Sequence, residues 1–170
     1  MVDKSLTVSG FTGRTASNFV QMTGQGRLKI LIKSSVKALY PVGNQTYTPV
    51  SITNKAGQSV EFSVGLASEV LDQGTTGNAI PNARIKRTWD ISNSANSVGG
   101  SGIDLEFSWT AAEDTGVKNP ALYHFVNGAW TKLDASKTTV DLSSRILIYK
   151  GYIGSPVSYT HLTLPTNREV

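Results

Sequence analysis

The side chains with chemical capacity are few and scattered along the chain. It carries two histidines, twelve acidic residues and no cysteine. Without thiols there can be no thiolate metal site, thiol nucleophile or disulfide framework. Glu113 and Asp114 are adjacent carboxylates, a pair that can bind calcium or serve as acid and base. Calcium needs about six or more oxygens, and no acidic spacing of the DxDxDG kind surrounds the pair. No second carboxylate cluster is available to face it across a glycosidic bond. A solvated turn is the simpler reading. His124 sits in a strand-like run beside bulky neighbours and reads as a satisfied or surface histidine. No GxSxG elbow supports a serine triad, and the glycine-rich "VGGSG" and "TGQGR" do not lead from a strand into a helix. Asn44 begins an "NQT" sequon but reads as a turn-shaping residue.

Aromatic and basic residues offer binding chemistry instead. Trp89, Trp109 and Trp130 with Tyr123 invite a carbohydrate-stacking reading. Trp109 shares its face with Ile103, Leu105 and Phe107, and Trp89 with Ile85 and Ile91, so both are expected in the core. Trp130, Tyr123 and Phe125 form the best candidate for an exposed ligand-binding platform, although Trp130 is also expected in the core. Net charge is +4, and the positive residues cluster only at Arg84, Lys86 and Arg87. That cluster reads as a solvated strand face, so no nucleic-acid partner is expected. No catalytic, cofactor-binding or metal-ligating residue is assigned, and no enzyme activity is expected.

The elements that must position these groups are strands. In "SVEFSVGL" Val60, Phe62, Val64 and Leu66 share one face, and in "IDLEFSWT" Ile103, Leu105, Phe107 and Trp109 do the same. Leu28, Ile30 and Ile32 line one side of "GRLKILIK". Period-two alternation is how a strand with one buried face reads. Turn-forming stretches such as "PVGNQ", "TNKAGQ" and "DQGTTGN" separate the runs. In "FVNGAW" the Asn-Gly pair favours a two-residue type I′ hairpin pairing Phe125 with Trp130 and Tyr123 with Lys132. His124 and Thr131 then fall on the opposite face with Leu122 and Leu133. No stretch of a dozen residues has helical apolar spacing, and no apolar run approaches the ~20 residues that span a membrane. About ten short strands at near-regular spacing predict an all-β antiparallel sandwich, immunoglobulin-like in general architecture.

Four motifs in order carry a resemblance: "YPVGNQTYTPVSITN" at 40–54, "RTWDIS" at 87–92, "GIDLEFSWTAAEDT" at 102–115 and "YHFVNGAW" at 123–130. Over roughly residues 17–155 the chain is similar to C-terminal β-sandwich modules of large surface and secreted proteins of Gram-negative bacteria with type IX secretion. The resemblance implies a non-catalytic structural or adhesive module in an extracellular or outer-surface protein. Its partners would be other domains of the same longer polypeptide, with surface glycans as an alternative. The family pattern names no catalytic residue.

The sequence departs from that pattern after "KGYIGS". The family continues with a closing strand of the "GITSFSPF" kind and a sorting domain, whereas this chain continues with "PVSYTHLTLPTNREV". Residues 156–170 resemble a translated sequencing-adapter tail, which discounts His161 as a site residue. The two prolines in that stretch predict a poor last strand. The expected organisation is N-terminal strands over 1–35, either an edge of the sandwich or the end of a preceding repeat region. A sandwich over 36–155 and a non-native tail over 156–170 follow.

Overall fold

Alternating burial along three strands organises the fold. The computed structural model describes residues 4–80, 85, 87–95, 98–113 and 120–154, and the backbone of 158–163. In β3 (Arg27–Ile32), β7 (Val60–Ala67) and β11 (Ile103–Ser108) the apolar residues named above are buried, and their neighbours are more exposed. Each fully buried aliphatic or aromatic side chain contributes about 1.5–3 kcal/mol, so such rows outweigh intrinsic strand preference.

The rows face each other from two sheets. The larger has the order β1-β3-β7-β10-β16-β12-β13, adding β1 (Ser5–Val8), β10 (Thr88–Asn93), β12 (Ala121–Val126), β13 (Ala129–Lys132) and β16 (Ser158–Thr163). The smaller has the order β14-β15-β11-β6-β4, with β4 (Lys37–Tyr40), β6 (Val50–Asn54), β14 (Thr138–Asp141) and β15 (Ile146–Tyr152). Two short ribbons complete the described strands: β2 (Val20–Gln21) with β5 (Val42–Gly43), and β8 (Leu71–Gln73) with β9 (Thr76–Ala79). The pairs are antiparallel except β1 with β3 and β2 with β5. The architecture is an antiparallel β-sandwich. Among the described residues no helix is long and apolar enough to cross a membrane.

Side chains staple the sheets together. The Trp89 ring is fully buried, meets Phe107 edge-on at 5.0 Å and donates its indole N–H to the Thr48 carbonyl at 3.2 Å. Tyr40, on the smaller sheet, donates its hydroxyl to the Phe62 carbonyl of the larger at 2.9 Å. Burial pushes that phenol far above its ordinary range, with Glu61 adding to the effect. Asn54 donates to the carbonyls of Ile32 and Gln58, each at 2.8 Å, and accepts from the Ala56 amide at 2.9 Å. A buried amide so bonded costs little desolvation and fixes one alignment of the strands it joins.

A bulge on β15 sets Lys150 and Gly151 opposite Asp104. Gly151 adopts φ +66°, a left-handed conformation that suits glycine, and its amide donates to Asp104 at 3.0 Å. The other Asp104 oxygen pairs with Lys55. Burial alone would raise the Asp104 carboxyl, but the Lys55 ammonium and the Gly151 amide hold it below the usual range.

The strand ladders place β3 and residues 158–163. Leu28, Ile30 and Ile32 belong to the common core, and β3 pairs along β7 inside the larger sheet. Residues 158–163 form a strand in the interior of that sheet, paired on one side with β10 and on the other with β12. The prolines that argued against a strand are Pro156 and Pro165, outside the paired span, so neither removes a ladder donor.

Candidate functional site

The Asn-Gly turn builds the candidate binding platform. Asn127 and Gly128 have φ of +51° and +79°, which the two-residue turn demands. β12 and β13 then pair Phe125 with Trp130 and Tyr123 with Lys132, the register expected from sequence. Leu122 and His124 point inward and are buried. Tyr123, Phe125 and Trp130 take the other face and are half-buried. Trp130 therefore lies outside the main core, contrary to expectation, because the residues of its hairpin that reach the core belong to the opposite face.

The platform is anchored rather than free. Phe125 and Trp130 meet edge-on at 5.2 Å, and Trp130 donates its indole N–H to the Leu71 carbonyl at 2.8 Å. A Cβ added to Gly74 would fall 2.8 Å from the Phe125 ring, so the β8–β9 ribbon approaches the hairpin with no room for a side chain. What remains accessible is a partial face of Tyr123, Phe125 and Trp130 beside the exposed Lys132. Such a ledge can stack one flat apolar face.

On the inner side, His124 bonds to Tyr152 across the two sheets, with 3.2 Å between Nδ1 and the phenol oxygen. The rings meet edge-on at 5.7 Å. This is the satisfied histidine expected from its position in the strand.

The acidic candidate has a different environment from the one expected. Glu113 ends a 3-10 turn over Ala111–Glu113 and is buried, 7% exposed. It pairs with Arg87, itself 6% exposed, and accepts from the Thr46 hydroxyl at 2.7 Å and the Thr110 amide at 2.9 Å. Arg87 also donates to Thr46 at 3.1 Å. The solvated turn expected for Glu113 and the solvated face expected for Arg87 are both overturned by this ion pair. A buried charge needs a partner, and each supplies the other's. Asp114, Arg84 and Lys86 lie outside the described residues, as do the side chains of residues 158–163, His161 included.

Trp89 and Trp109 are buried in the core as expected. Asn44 donates to the Ser68 hydroxyl at 2.7 Å, linking the turn after Gly43 to the end of β7. Among the described residues no group of three or more histidines and carboxylates could hold a metal ion. Sequence reasoning missed the Arg87–Glu113 pair and also Arg27–Asp90, which joins β3 to β10 across β7. Asp90 follows the inward Trp89 and so takes the outer face of β10, where its partner Gly65 leaves room for the Arg27 side chain to cross β7; alternation alone does not reveal that contact. No family model, curated protein or solved structure matches the chain.

Proposed function

We propose that this chain is a non-catalytic structural or adhesive β-sandwich module of a secreted or cell-surface bacterial protein. The observation that carries the reading is how its polar groups are used. Glu113, the carboxylate with the best claim to chemistry, is consumed by Arg87, Thr46 and Thr110 in a buried structural cluster. His124 is likewise committed to Tyr152. The ordered motifs at 40–54, 87–92, 102–115 and 123–130 support a place near the C-terminal end of a long exported polypeptide whose other domains are its partners. On this reading residues 156–170 are not native, and β16 fills the place of the parent's own closing strand. Sequencing the parent DNA beyond the Ser155 codon tests this. Continuation into a different closing strand and a further domain is expected, whereas a natural stop after Val170 would contradict it.

A second reading rests on the half-buried rings of Tyr123, Phe125 and Trp130, which face away from the core on one side of the hairpin. They could stack on a sugar of a surface glycan. Titrating a glycan panel while following Trp130 fluorescence tests it, with binding abolished by Trp130→Ala as the supporting result.

A further inference from the structure

The tip of the β12–β13 hairpin carries chemistry that needs no second molecule except water. Asn127 precedes Gly128, the one Asn-Gly step in the chain. Both residues are exposed, and a Cβ added to Gly128 would meet nothing within 4 Å. The pair that closes the turn is Val126 with Ala129, so the Gly128 amide lies outside the ladder. A backbone nitrogen and a carboxamide carbon are thus neighbours in the chain, with open space at the glycine.

Other asparagines are placed differently. Asn54 is buried, and its carboxamide is bonded to the Ile32 and Gln58 carbonyls and the Ala56 amide. Asn44 donates to Ser68, Asn18 donates to the Gly13 carbonyl, and Asn93 accepts from the Ala95 amide. Each of these four is followed by a residue whose side chain crowds the next backbone nitrogen. The Asn127 carboxamide makes no hydrogen bond to a described residue.

We propose that Asn127–Gly128 is a self-modification site: Asn127 deamidates in the folded protein, and the isoaspartate formed releases the hairpin from the β8–β9 ribbon. The Gly128 nitrogen attacks Cγ of Asn127, and its proton departs with Nδ2 as ammonia, leaving a cyclic imide. Water then opens the ring. Attack at the side-chain carbonyl gives aspartate; attack at the main-chain carbonyl gives isoaspartate, whose backbone runs through Cβ. The sum is one water consumed and one ammonia released, with no change of oxidation state. Ring closure requires the Asn127–Gly128 step to rotate out of its turn, and the open space at Gly128 permits it. Isoaspartate adds a backbone atom to a loop whose two residues both sit at positive φ. With that geometry lost, Val126 no longer closes on Ala129, and Trp130 is drawn away from the Leu71 carbonyl. The accessible face of Tyr123, Phe125 and Trp130 therefore changes as the molecule ages.

The folded chain, incubated in mildly alkaline buffer, is sampled by peptide mass spectrometry, with isoaspartate labelled by an isoaspartyl methyltransferase. Deamidation at Asn127 should run several-fold faster than at any other asparagine, with isoaspartate the larger product. The Trp130 indole N–H resonance, assigned with Trp130→Phe, should leave its native position in step with isoaspartate, while those of Trp89 and Trp109 hold. Asn127→Gly keeps a two-residue turn without the carboxamide, so its Trp130 signal should stay native throughout the same incubation. Freshly prepared Asn127→Asp adds the charge without the extra backbone atom and should also keep that signal. A folded chain unmodified at Asn127, while the urea-unfolded chain reacts there, would overturn the proposal. So would isoaspartate at position 127 beside a native Trp130 resonance, or loss of that resonance in Asn127→Gly.

Discussion

The two ends of the larger sheet are built on different principles. Around β3, β7 and β10 every strand has paired neighbours on both sides and contributes a buried apolar row, with Trp89 fully enclosed. At the other end the β12–β13 hairpin is shaped by its own Asn-Gly turn, and the tryptophan it carries is half-buried against a two-stranded ribbon. One region is specified by what it buries, the other by its turn and by one interposed strand. A protein assembled this way should lose its hairpin before its core.

The largest effects should lie in the first region. Trp89→Ala removes a fully buried ring and its bond to Thr48, and about 3–5 kcal/mol of stability should disappear in a urea titration. Glu113→Ala strands Arg87 as a buried charge and should cost a similar 3–5 kcal/mol, roughly. Replacing both by apolar residues, Arg87→Met with Glu113→Leu, should recover most of that loss, since the desolvation penalty vanishes with the charges. A single and a double variant equally destabilised would show that the cluster is held by shape instead.

The hairpin should respond less. Trp130→Ala, removing a half-buried ring, should cost about 1–2 kcal/mol, visibly less than Trp89→Ala. Gly128→Ala places a side chain at φ +79° and should cost about 1 kcal/mol in the same titration. Equal losses for the two tryptophans would erase the distinction between the regions.

Acidity gives the smallest effect. Asp141 is held down to about 2 by the Ser143 hydroxyl foremost and by Ser144, and Asp104 is lowered by Lys55 and Gly151 against the effect of burial. A carboxyl whose folded pKa lies below its unfolded 3.8 contributes stability that is fully present above that value and lost as pH falls. This contribution to the melting temperature should therefore be flat above about pH 5 and decline as the pH falls through 3.8 towards about 2. Asp141→Asn should flatten part of that decline.

The first region was the more legible in the sequence. Alternation at 28/30/32, 60/62/64/66 and 103/105/107/109 marks strands with one buried face, because a period of two allows only one such arrangement. The hairpin register was equally legible, since Asn-Gly restricts the turn geometry. Sheet order was not, because pairing partners such as β3 and β7 are separated by strands of the opposite sheet. Nor was the fate of Glu113, whose partner Arg87 meets it only once the start of β10 and the 3-10 turn after β11 are placed. The place of β16 is hidden for a simpler reason: Pro156 and Pro165 read as interrupting a strand that they only flank.

Native-state hydrogen exchange tests the contrast most directly. Amides of Phe62, Val64, Trp89 and Leu105 should exchange only through global unfolding. Amides of Leu122 to Val126 should open at a distinctly lower free energy, and lower still in a chain ending at Ser155. A single common opening free energy for both groups, unchanged by that truncation, would contradict the account.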